Sequence, residues 1–65
     1  MDKNLLFYEM KKKKITVDDL TRNIGISKTS FYRKCAGKTD FTIREVKGIV
    51  KALGLTSPID IFFAD

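Results

Sequence analysis

The stretch Thr16–Gly37, TVDDLTRNIGISKTSFYRKCAG, constrains this chain more than any other, because two helix starts and two helix stops fall there at a spacing that admits few alternatives. Thr16 is a preferred N-cap, and Asp18 and Asp19 place negative charge at the positive end of the helix dipole. Asp19, three residues after the cap, is a short version of the capping-box partner. Leu20 and Ile24 share one face at i, i+4, and Gly25 follows where a left-handed residue releases the chain. The leading helix of the pair is therefore about nine residues long.

Ser27 caps the next helix, Lys28 to Ala36, which stops at Gly37, and Ile26 is left as the apolar plug between the two. A connection as short as Gly25–Ser27, containing glycine, is the helix-turn-helix turn, which presents the second helix across the first. Phe31 and Cys35 then face inward together, while Thr29, Tyr32, Arg33 and Ala36 lie on the opposite side. The outward face carries Lys28, Arg33 and Lys34, with Lys38 just beyond, and no acidic residue occurs between Ser27 and Thr39. An uninterrupted basic face on a helix presented in this way suits double-stranded DNA.

The pattern Thr16, Leu20, Thr21, Gly25-Ile26-Ser27, Phe31 and Gly37-Lys38 resembles the lambda-repressor-like (Cro and repressor type) helix-turn-helix proteins of phages and mobile elements. The resemblance spans about residues 5 to 55. It implies an all-α fold, a compact four- to five-helix DNA-binding domain whose second motif helix enters the major groove. Carried over residue by residue, it makes Lys28, Thr29 and Arg33 the base-reading candidates, with Tyr32 beside them. Thr16, Ser30, Lys34, Lys38 and Arg44 are the candidates for DNA phosphate. Two departures from the family pattern matter. Val17 stands where many members have a glutamine that orients a base-contacting partner. Met10 and Cys35 stand where many hold a buried Arg–Glu pair, and an apolar pair there needs no charge desolvated.

With 65 residues the chain is expected to be one domain, 1–65, with the helix-turn-helix at about 16–37 and no room for a separate sensor or protease domain. Its core is small, so oligomerisation would help. The formal charge is +5, and every Lys and Arg lies within residues 3 to 51, leaving an acidic tail with Asp60 and Asp65. One cysteine allows no internal disulfide, and without a secretory signal or long apolar run the cytoplasm is the expected compartment. Cys35 reads as a small buried apolar residue. Histidine is absent and no carboxylates are suggestively paired, so no catalytic residues, metal or cofactor are expected and the chain does not read as an enzyme.

Residues 1 to 14 read as a helix capped by Asn4 or Asp2, with Leu6 and Met10 aligned and Leu5 and Phe7 widening the apolar side. Lys11 to Lys14 sit in its last turn, either as a solvated helix end or against phosphate; the helix is too short for a membrane role. After a polar loop, Phe41 should tuck inward. Thr42 and Glu45 form a capping box for a helix with Ile43, Val46, Ile49, Val50 and Leu53 on its apolar face and Gly54 at its end. Arg44 falls in the first turn, where it could join backbone N–H groups on a phosphate or stand as a plain surface residue. The tail SPIDIFFAD reads either as a short helix, with Ser57 as cap, Pro58 first and Ile59, Phe62 and Phe63 on one face, or as an extended segment.

These features read as a sequence-specific DNA-binding transcriptional regulator, a Cro-like repressor that occupies an operator. The alternative is a protein-interaction module, antitoxin-like or adaptor, using the same fold; such a module would more often expose apolar or mixed-charge residues on the second motif helix. A homodimer is expected, forming fully only on DNA, with Phe62 and Phe63 at its interface or in the protomer's own core.

Overall fold

Helix starts in this chain are set by side chains that accept from the free N–H groups of the first turn, and four of the five starts follow that rule. The computed structural model describes residues 1–63, so the acidic end expected at Asp65 lies outside the described residues. Five helices succeed one another: α1 (Lys3–Lys12), α2 (Val17–Ile24), α3 (Lys28–Cys35), α4 (Ile43–Leu53) and α5 (Pro58–Phe62). Asp2, rather than Asn4, caps α1 through Leu5 N–H, and Ser27 caps α3 through Ser30 N–H. Thr16 with Asp19, and Thr42 with Glu45, form complete capping boxes at α2 and α4. At α5 the side chain of Ser57 makes no capping bond, and Pro58, whose missing N–H needs no partner, opens the helix.

Helix ends are equally regular. In α3 the Lys38 N–H reaches Arg33 O and the Gly37 N–H reaches Lys34 O, the paired bonds of a Schellman motif; α4 closes the same way through Leu55 and Gly54. α1 repeats the pattern through Ile15 and Lys14, with lysine in the left-handed position at φ 58°. A lysine there is less favourable than glycine, and its neighbour shows what holds it. Lys13 folds back so that its ammonium donates to the carbonyl of Leu53 and pairs with Glu9 at 3.3 Å. The lysine run is thus divided. Lys11, Lys12 and Lys14 point to solvent, whereas Lys13 satisfies the open C-terminal end of α4.

Every helix contributes to one core: Leu6 and Met10 from α1, Leu20 from α2, Phe31 and Cys35 from α3, Ile49 and Leu53 from α4, and Ile61 from α5. Met10 and Cys35 are therefore both apolar core residues, and burial pushes the Cys35 thiol up to about 11, so it stays protonated at neutral pH. Edge-to-face aromatics run through this core from Phe7 to Phe31 (6.1 Å), Phe31 to Phe41 (5.9 Å) and Phe41 to Phe62 (5.8 Å). Phe41 tucks inward as expected. Thr21 is buried, and its hydroxyl is satisfied by donating to Val17 O at 2.8 Å.

Two expected faces need correcting. In α5 the inward arc is Pro58, Ile61 and Phe62, at i, i+3, i+4, which leaves Ile59 and Phe63 exposed rather than aligned with Phe62. In α4 the inward stripe is Val46, Ile49, Val50 and Leu53, while Ile43, at the first helical position, is 75% exposed. Among the described residues no helix is long and apolar enough to cross a membrane.

The α2–α4 contact turns on Gly48. A Cβ built there would lie 2.9 Å from Ile24 Cγ2, a methyl on a stiff β-branched side chain that cannot swing away. Glycine in mid-helix costs about 1 kcal/mol relative to alanine, and here it permits the close approach that seats α2. Gly48→Ala should therefore lower stability by about 1 kcal/mol net, overpacking outweighing the propensity gain. In an Ile24→Ala background the same change should raise stability, as read by thermal melts of the four proteins. Stabilisation by Gly48→Ala alone would show that the contact is not tight.

Candidate nucleic-acid interface

α3 is held by its inner side. Phe31 is fully buried and Cys35 nearly so, which forces Lys28, Thr29, Tyr32, Arg33 and Ala36 outward. Thr29, Tyr32, Arg33, Ala36 and Lys38 line a single shallow concavity on that outer surface. Lys38 belongs to it because the left-handed Gly37, at φ 81°, turns the chain back alongside α3. Tyr32 is half exposed and leans edge-on against Phe31 at 5.8 Å, so its ring is braced from beneath. Arg33 makes no ion pair among the described residues.

The remaining candidates divide by what already occupies them. Lys28, first in α3, pairs with Asp18 of α2 at 2.8 Å, both side chains more than half exposed. The hydrogen bond to Asp18, followed by its charge, raises the Lys28 pKa and keeps the ammonium charged. Thr16 is exposed at the start of α2 and its Oγ1 accepts from Asp19 N–H. That box lowers the pKa of Asp19, chiefly through the bond from the Thr16 backbone. Ser30 is half-buried, and Arg44 is exposed in the first turn of α4.

Lys34 does not stand on the outer face where its sequence position suggested. Its side chain is only 12% exposed, its ammonium lies 2.5 Å from Glu45 Oε1, and the ring of Phe41 lies 5.8 Å away. The same Glu45 oxygen accepts the Thr42 N–H at 2.9 Å. One carboxylate thus starts α4 and clamps the end of α3 to it. Sequence reading found the capping half of this arrangement and missed the clamp, since an ion pair between residues 34 and 45 leaves no local signature. Asp18 was missed in the same way: read alone, it is a dipole residue, and only the fold brings it to Lys28.

Desolvation pushes the Glu45 carboxyl up, but the hydrogen bonds from Lys34 and Thr42 and the charge of Lys34 together outweigh it and hold the pKa below its ordinary 4.5. A lowered folded-state value means that the contribution to stability is complete above about 4.5 and is lost as pH falls through the folded value. Thermal melts should therefore show a decline in stability below that pH. Glu45→Gln should cost about 2 kcal/mol at pH 7 and should lack this component of the acid dependence. An unchanged acid profile in Glu45→Gln would place the pH-sensitive group elsewhere.

No curated protein and no solved structure matched the chain. A family model described as the Cro/C1-type HTH DNA-binding domain matches residues 6–63, which takes in α2, α3, the concavity on α3 and all of α4 and α5. Match and geometry agree on the same two helices, and the chain belongs to the Cro/C1-type helix-turn-helix DNA-binding domain family.

Proposed function

We propose that this chain is a sequence-specific regulator of transcription, a Cro-like repressor that occupies an operator by placing α3 in the major groove. The observation that carries this reading is the outer concavity that joins Thr29, Tyr32, Arg33 and Lys38 on the side of α3 opposite the fully buried Phe31. A recognition helix needs such a rigid back and a polar, cationic front. Lys28, Thr29, Tyr32 and Arg33 are the base-reading set. Lys38 and Arg44, with the hydroxyls of Thr16 and Ser30, serve phosphate; Lys34 leaves that set because Glu45 holds it. Occupancy alone accounts for repression, with no catalytic step.

Arg33 and Lys38 separate the two kinds of contact. Arg33→Ala should cost about 1–3 kcal/mol on the operator and flatten preference at one base pair, because a guanidinium bonded to guanine O6 and N7 carries sequence information. Lys38→Ala should weaken all sequences alike and reduce the slope of log K against log salt by about one unit. Gel shifts on selected and random duplexes at two salt concentrations measure both. Equal losses on the two duplexes for Arg33→Ala would remove it from the base-reading set.

The active unit in this reading is a homodimer that forms fully on DNA, with its two copies of α3 about 34–36 Å apart on a near-palindrome. Phe63, 68% exposed, and Ile43 flank an apolar groove floored by Phe41, Val46, Val50 and Phe62, which supports placing the contact there. Phe62 serves the protomer too, through Phe41. Phe63→Ala should therefore weaken assembly without lowering the melting temperature, whereas Phe62→Ala should lower both. Sedimentation across concentrations and stoichiometry on an operator-length duplex test this. One-to-one binding would end the dimer, and a dimer indifferent to both substitutions would move its interface.

A further inference from the structure

Asp18 is an anomaly if α3 simply offers positive charge to DNA. Its neighbour Asp19 is consumed by the α2 capping box, but Asp18 is not, and its Oδ1 reaches across the turn to the Lys28 ammonium at 2.8 Å. Both side chains remain open to solvent, at 58% and 55%. An exposed pair of this kind adds little to stability. It also carries a cost in affinity. The carboxylate neutralises one of the few cations at the leading end of α3 and brings a negative charge toward the phosphates. A group that weakens binding to DNA in general, for no more than the modest gain of an acidic residue in the first turn of α2, is accounted for when it also discriminates among sequences.

The chemistry of the pair indicates what it discriminates. In the major groove a G·C pair presents two acceptors, guanine N7 and O6, beside one donor, the cytosine N4 amino group. Lys28 offers only donors and Asp18 only acceptors, and the structure sets the two side by side. Lysine suits guanine O6 and N7, and aspartate suits cytosine N4. We infer that Lys28 and Asp18 act as one unit that reads a single G·C base pair in each half-site, with Asp18 as a specificity-determining residue supplied by α2. On an A·T pair the thymine side presents O4 and a methyl group, leaving the carboxylate against an acceptor. On a phosphate the carboxylate repels. The inference rests on the major-groove reading of α3 and adds to it a contact from outside that helix.

Selection of bound duplexes from a random-sequence library tests it, run with the wild-type protein, Asp18→Asn, Lys28→Met and the double variant. The wild-type motif should contain a G·C pair whose preference falls roughly fivefold or more in Asp18→Asn while the other positions are kept. Freed from its partner, Lys28 in Asp18→Asn should bind random duplex more tightly, with the salt slope steeper by about 0.9. Lys28→Met, which leaves α2 untouched, should lose preference at the same base pair, and adding Asp18→Asn to it should change that position no further. Replacing the guanine by inosine, which retains O6 and N7, should be tolerated; 7-deazaguanine should not. Unaltered motifs in Asp18→Asn and Lys28→Met would overturn the inference and leave the DNA-binding reading intact. A wild-type protein that selects no motif would overturn both. Melting curves identify a variant lost to misfolding, in which case the other single variant decides.

Discussion

The placement of Phe31 is the constraint on which the rest of the structure depends. It is fully buried on the inner side of α3 and touches aromatic rings from α1 and from the loop before α4; through Phe41 the contact extends to α5. An edge-to-face contact fixes orientation as well as distance. With Phe31 held from two directions, α3 has no freedom to roll about its axis, and the azimuth of every other side chain on it follows. That is why Arg33 and Tyr32 can be carried on a helix of only eight residues and still keep a defined heading.

Charge in this protein is unevenly available. Of the thirteen basic residues, Lys13 caps α4 from α1, Lys34 is shut between Glu45 and Phe41, and Lys28 is shared with Asp18. The formal net charge thus overstates what the α3 face presents. Two of these three lysines hold helices together, and both do so at helix termini, where a long cationic side chain can reach carbonyls or a capping carboxylate that a shorter residue could not.

Helix limits were legible in the sequence because each was written locally. Thr16 with Asp19, Ser27, Thr42 with Glu45, Gly25, Gly37 and Gly54 signal within a few residues of where they act. Apolar periodicity likewise gave Leu6, Met10, Leu20, Phe31, Ile49 and Leu53 as core. What the sequence did not disclose was every contact between distant residues: Lys13 with Leu53, Lys34 with Glu45, Lys28 with Asp18, and Ile24 with Gly48. The end of α1 escaped for a different reason, since Lys14 takes a position that normally advertises itself as glycine. Faces failed in the short helix, where one turn gives no periodicity to count and Ile59, Ile61, Phe62 and Phe63 are alike in hydropathy.

The backbone bond from Asp2 N–H to Ile61 O, 2.7 Å long, joins the two extremities of the described chain. It bears on the order in which the protein assembles. α2 and α3 meet across a short turn, and the α2–α4 contacts, such as Ile24 with Gly48, enclose only α3 and its flanking loops, whereas the bond to Ile61 must close a loop spanning nearly the whole chain. α5, with five residues, has too few internal hydrogen bonds to persist undocked. On these grounds the helix-turn-helix and α4 should form first, with α5 the last piece to dock and the first to leave. Amide exchange would register this as a gradient of protection, steepest between Phe31 and Ile61, in a domain small enough to be mistaken for a single cooperative unit.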